Sequence, residues 1–198
     1  MRHLKNSATL IFSLLLICIS TGCCKVASTE DICKYAEKTY GANVLVSFET
    51  TDKSNTCYFL DKRDKFNYKI TSFIYDANMD GTRCGDAETK SSDFVIQYLN
   101  NTDTILNDEY EKIAKKHNVL IEIPDREAPK SSNLLLTVIT DNEIDGKTAC
   151  EELIVCFFNH DSREILSTCY FRIDIRSFDD KTIGSYDYNN NKYTSYGN

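Results

Sequence analysis

Four acidic residues pose the first chemical question. Asp141, Glu143 and Asp145 alternate ahead of Gly146, and Glu152 stands at the twelfth position of the run. Hard cations such as calcium take about six to eight oxygen ligands, which alternating side chains and a terminal bidentate carboxylate can supply around a tight turn. Asp141, Glu143, Asp145 and Glu152 are therefore the calcium-ligand candidates; the expectation is no cofactor, with calcium at these four residues as the alternative. A second run, Asp76-x-Asn78-x-Asp80-Gly81, starts alike but has Ala87 at its twelfth position. Acidic turns before helices also have a plainer use, since Glu151 and Glu152 near a helix N-terminus suit its dipole.

The spacing of Asp141 to Glu152 resembles a calcium loop of the EF-hand type. It departs in three places: Glu143 is longer than the usual ligand, Thr148 replaces an apolar residue, and a strand leads in. A different chemistry is offered by Cys156 and His160, four residues apart and so on one face of a helix. Such a pair can bind a transition metal or act as nucleophile and base. Cys150 lies about 120° away around the same helix at 100° per residue, and no second pair has matching spacing. Helix burial with a terminal histidine explains these residues as well. The sequence has no Cys-x-x-Cys pair, nucleophile elbow, phosphate loop or dinucleotide fingerprint.

The remaining thiols raise the question of disulfides. Nine cysteines are present. Thr56-Cys57-Tyr58-Phe59 recurs as Thr168-Cys169-Tyr170-Phe171, with Phe66 and Phe178, and Lys69 and Lys181, at the same offset. Each tetrapeptide follows a helix-like segment bearing a cysteine, Cys33 or Cys150. The repeat suggests the bonds Cys33–Cys57 and Cys150–Cys169, each tying a helix to a strand. Export would permit them, and such bonds typically contribute about 2–4 kcal/mol each. Buried free thiols are the alternative.

Export is what the N-terminus indicates. Arg2 and Lys5 precede an apolar run from Ala8 to Ser20, too short for the roughly 20 residues of a spanning helix. The run ends in Ile19-Ser20-Thr21-Gly22-Cys23, which resembles the lipobox of bacterial lipoproteins, with Ser20 where leucine is commonest. The resemblance implies cleavage after residue 22, a lipid on the Cys23 thiol, and a chain held on the outer face of the cell membrane. Two or three acyl chains anchor firmly where one binds marginally. An ordinary secretory signal is the alternative. Loss of Arg2 and Lys5 with no acidic residue takes the net charge from −7 to −9.

The chain has 198 residues, 41% hydrophobic and 27% charged, so a hydrophobic core must supply most of its stability. Thirty acidic against 23 basic residues argue against nucleic acid as a partner. After the signal (1–22) and a polar tether (23–30), an α+β domain is expected over 31–188, with sub-lobes 31–100 and 101–188 and a flexible tail from 189. Ile32, Ala36 and Tyr40 at four-residue steps predict a helix closed by Gly41. The order of elements, with Lys-x-Tyr-Gly closing that helix, resembles small uncharacterised lipoproteins of low-GC Gram-positive bacteria. A strand with Val44, Val46 and Phe48 on one face follows, then strands at Cys57–Leu60 and Phe66–Tyr75, and a polar loop at 76–89.

Phe94–Leu99 and Thr104–His117 predict two helices, and Val119–Ile123 a strand. Leu134–Thr140 predicts a strand buried on both faces, Lys147–Phe158 a helix, Cys169–Arg176 a strand, and 183–188 an edge strand. The expected fold is α+β: a twisted antiparallel or mixed sheet with helices packed on one face, built as two related helix-plus-meander halves if the repeat is a duplication. The expected function is a non-enzymatic, lipid-anchored envelope protein that binds a protein or ligand, of which protection against a secreted toxin is one version. The alternative is an exported metal-dependent enzyme or hydrolase using Asp141–Glu152 or Cys156 with His160.

Overall fold

The computed structural model describes residues 25–79, 82–126, 134–161, 163–166 and 170–196. Cys23, Cys169, Asp80 and Gly81 lie outside them. The fold is α+β and divides into two units, the first ending at Ser92 and the second starting at Asp93.

The first unit is a helix laid on an antiparallel meander. Helix α1 (Thr29–Tyr40) begins two residues before the expected Asp31 because Ser28 caps it, its Oγ accepting from the Asp31 amide at 3.1 Å. It ends at Gly41, whose φ of 86° lies where side chains are disfavoured. Residues just before α1, assigned to the tether, are docked: the Ala27 amide donates to Ser72 Oγ, and Asn55 Nδ2 donates to the Ala27 carbonyl. Strands β1 (Asn43–Thr50), β2 (Ser54–Asp61), β3 (Asn67–Met79) and β4 (Thr82–Ser92) pair in sequence order. Within the polar stretch 76–89, residues 76–79 and 82–89 are strand rather than loop, since the β3–β4 ladder runs from Ile70↔Ser92 to Met79↔Thr82. Alternate residues of the central strands, Cys57, Phe59, Tyr68 and Ile70, are buried with Ile32 and Ala36 of the helix. Phe59 stacks on Tyr68 at 5.3 Å. Each fully buried large side chain here contributes about 1.5–3 kcal/mol. β1 departs from expectation: Val44, Val46 and Phe48 are exposed, because β1 is an edge strand whose register shifts between Leu45 and Ser47.

The second unit opens with one long helix, α2 (Phe94–His117), where two shorter ones were expected. The polar stretch 100–103 stays helical, with Thr102 Oγ1 donating to the Tyr98 carbonyl at 2.9 Å. Asn118 closes α2 in the left-handed conformation. Strands β5 (Leu120–Glu122), β6 (Leu134–Ile139), β7 (Arg172–Arg176), β8 (Thr182–Asp187) and β9 (Lys192–Ser195) form one sheet in that order. Among the described strands only β6 and β7 pair in parallel, and helix α3 (Glu143–His160) lies between them in the chain. Leu134, Leu135, Leu136 and Val138 are buried, as expected of a central strand. Helix α3 packs its Ala149, Cys150, Leu153 and Phe157 face inward, and Tyr110 of α2 meets Phe157 at 5.9 Å between ring centres.

The C-terminal segment is ordered as β9, so β8 is not the edge. Tyr193 fixes it there, its hydroxyl donating to Glu143 Oε1 at 2.6 Å. Both units contain a helix followed by a meander, α1 with β1–β4 and α3 with β7–β9. The repeated tetrapeptides occupy different places, however. Residues 56–59 lie within β2, whereas Tyr170 and Phe171 precede β7, and Phe66 is buried while Phe178 is exposed.

Candidate functional site

One face of α2 carries the site. Asn100, Asp103, Thr104 and Asn107 recur at helical spacing and, with Ile123 beyond β5, line an open cleft of about 420 Å³. Asn100, Thr104 and Asn107 are exposed, whereas Asp103 is buried at the base. Behind it lies Arg126, also buried, on the segment that follows β5.

Arg126 is held from three sides. Its Nε donates to Asp103 Oδ2 at 3.0 Å and Nη2 donates to the same oxygen, while Nη1 donates to the Leu134 carbonyl at 2.8 Å and Nη2 to that of Leu135 at 3.0 Å. The other carboxylate oxygen, Asp103 Oδ1, accepts from the Tyr110 hydroxyl at 3.1 Å. Burial pushes the Asp103 carboxyl up, opposed by the Arg126 charge and by hydrogen bonds from Arg126 and Tyr110. Burial, with the neighbouring Asp103, also pushes the Tyr110 phenol well above its ordinary range. Both oxygens of Asp103 are thus engaged; of the other polar groups at the cleft, the Thr104 hydroxyl donates to the Asn100 carbonyl at 2.9 Å and Asn107 Nδ2 donates to Glu111 Oε1 at 3.4 Å. Those groups donate and accept hydrogen bonds, and Ile123 supplies an apolar contact. The set suits recognition of a small neutral polar group rather than proton transfer.

The calcium-ligand candidates have separate partners. Asp141 Oδ1 accepts from the Phe178 amide at 3.1 Å, Glu143 from Tyr193, and Asp145 Oδ2 from Asn142 Nδ2 at 2.7 Å. Glu152 Oε1 accepts from Lys116 Nζ at 2.5 Å and lies 3.1 Å from His117 Nε2. The backbone explains the dispersal: α3 starts at Glu143, capped by Asn142, so residues 143–152 climb a helix instead of wrapping a cation. No cluster of three or more His, Cys, Asp or Glu side chains placed to hold a metal occurs among the described residues.

Cys156 and His160 share α3 but have different surroundings. The Cys156 thiol is pushed up by burial and then by Glu109 and Glu152, opposite to the activation a nucleophile needs. The His160 ring lies 6.4 Å from that of Tyr98. Cys33, Cys57, Cys150 and Cys156 are free thiols. Cys57 is raised by burial and then by Cys33, consistent with a helix and strand that face each other. Cys150 is fully buried, and burial pushes its thiol far above the ordinary value.

Sequence reasoning missed the cleft because it followed the apolar face of α2 through Leu106, Tyr110 and Ile113. The polar residues at 100, 103, 104 and 107 carry the same helical period. Arg126 sits 23 residues from Asp103 and has no local signature. No protein-family model, curated protein or solved structure is similar to this chain.

Proposed function

We propose that this chain is a lipid-anchored envelope protein that works as a non-enzymatic binding module, with the α2 cleft as its ligand site. The observation that carries the binding role is the Asp103 environment. A carboxylate whose two oxygens are occupied by Arg126 and Tyr110 is a fixed wall of the cleft, and of the adjoining Asn100, Thr104 and Asn107 the one hydroxyl, that of Thr104, donates to the Asn100 carbonyl rather than to a base that would activate it. The anchor rests on Gly22-Cys23 at the end of the apolar run. The acidic balance of the chain favours a neutral or cationic partner over an anionic one.

Two measurements test the two halves of this reading. Cells fed an alkyne-tagged fatty acid should label the wild-type chain and not Cys23→Ser, and labelling of both would remove the anchor. A thermal-shift screen of the purified chain against neutral sugars and amino acids should find a stabilising compound whose effect is lost in Asn107→Leu and Thr104→Val. A compound that stabilises all three proteins equally would place binding elsewhere.

A further inference from the structure

Helix α3 is apolar on two opposite sides. Its inward face, Gly146, Ala149, Cys150, Leu153, Ile154 and Phe157, is buried as a surface helix requires. The opposite side should then be polar. Instead Ile144 is 76% exposed, Val155 56% and Phe158 72%. With Thr148 and Glu151 these residues fall at steps of 4, 3, 4 and 3, the spacing that keeps one stripe facing a neighbouring helix. At 100° per residue the five lie within roughly 80° of one another, and the stripe runs about 21 Å along the axis. Scattered exposed apolar residues need no explanation, but three large ones aligned on a single helical seam do.

The charge in the stripe indicates what fits it. Glu151 is its one ionised residue and occupies its midpoint. Its partner, Lys147, stands beside the stripe at the outer limit of an ion pair, 3.9 Å, with both side chains about half exposed. A second copy of α3 laid across the first would bring Glu151 against Glu151, which repels. A helix with a basic residue at its centre would instead complete a pair inside an apolar seam, where water is excluded and the attraction is stronger.

We propose that the outward stripe of α3, Ile144, Thr148, Glu151, Val155 and Phe158, docks an amphipathic helix of a partner protein that carries a 4-3 apolar seam with a central lysine or arginine. The stripe shares no residue with the α2 cleft, so failure of this surface leaves the cleft reading standing, and the reverse. The apolar residues supply the buried area, and Glu151 sets which helices are accepted.

The test uses the full chain in detergent and two synthetic 21-residue helical peptides with leucine at the seam positions, one with a central lysine and one with a central glutamate. Fluorescence anisotropy should show the lysine peptide binding at least tenfold tighter. Val155→Glu or Phe158→Glu should weaken that binding about tenfold or more with helix content by circular dichroism unchanged. Glu151→Lys should reverse the preference between the peptides. Equal binding of both peptides, or binding indifferent to Phe158→Glu, would overturn the proposal. So would sedimentation showing a dimer of the chain alone that Phe158→Glu dissolves, because a second copy would then fill the stripe.

Discussion

Asp103 and Arg126 form an ion pair buried on both sides, joining the middle of α2 to the segment beyond β5. Taking two charges out of water costs several kcal/mol each, and their mutual attraction offsets this only when the remaining hydrogen-bonding capacity is met. Here it is met by the Tyr110 hydroxyl and by the carbonyls of Leu134 and Leu135. Arg126 thereby fastens α2 to the start of strand β6 and holds Asp103, which lines the cleft, in place.

Removing one member should therefore cost more than removing both. Arg126→Leu leaves a buried carboxylate without its cation and is expected to lower unfolding stability by about 3–5 kcal/mol. Adding Asp103→Leu should recover part of the loss. Urea denaturation of the two single variants and the double variant measures the coupling.

Gly146 allows α3 to lie against β7. A Cβ there would come 2.8 Å from Ile175 Cγ2 and 2.9 Å from Thr140 Cγ2. Gly146→Ala would gain about 1 kcal/mol of helix propensity, but overpacking costs about 1–3 kcal/mol, so the variant should be less stable. A lower thermal midpoint than wild type is the expected result.

Glu152 ties α3 to the end of α2. Its hydrogen bond from Lys116 holds the carboxyl below the ordinary value of 4.5, opposed by burial and assisted by the hydrogen bond from His117. A depressed carboxyl favours the folded state when ionised, so this contribution is present above about pH 5 and lost as pH falls through the lowered value. Because the pair is largely exposed, the effect should stay within about 1 kcal/mol. The difference in stability between wild type and Glu152→Gln should shrink toward zero as the pH is taken from 6 to about 3, followed by chemical denaturation at each pH.

The thiols should react in order of access. Cys33 and Cys156 are partly exposed, while Cys57 and Cys150 are buried, and burial raises Cys150 most. Of these four thiols, alkylation of the reduced, folded chain followed by peptide mass mapping should mark Cys33 and Cys156 first and Cys150 only on unfolding.

The elements legible in the sequence are those whose signal is local. Ile32 and Ala36 with Gly41 define α1, Asn118 ends α2, and the apolar run from Leu134 gives the central strand. The misread ones depend on partners far along the chain. The stretch 76–89 looks like a loop because its residues are polar, yet residues 76–79 of β3 and 82–86 of β4 satisfy each other's backbone groups. The C-terminal strand looks like a loose end until Tyr193 meets Glu143, fifty residues away.

By itself the sequence determined the α+β class, the acidic balance and the helix ends at Gly41 and Asn118, and it indicated a signal-like N-terminus, because composition, periodicity and capping act over a few residues. Only the tertiary structure decided which polar side chains share a site. The Asp141–Glu152 spacing suggested one cation, but a helix beginning at Glu143 separates those carboxylates and gives each a different partner. Asp103 and Arg126 suggested nothing in sequence, and the packing of α2 on α3 and β5, with Arg126 bonded to the carbonyls at the start of β6, makes them one buried pair. Side-chain convergence is set by how elements pack, and the intervals between residues along the chain do not encode it.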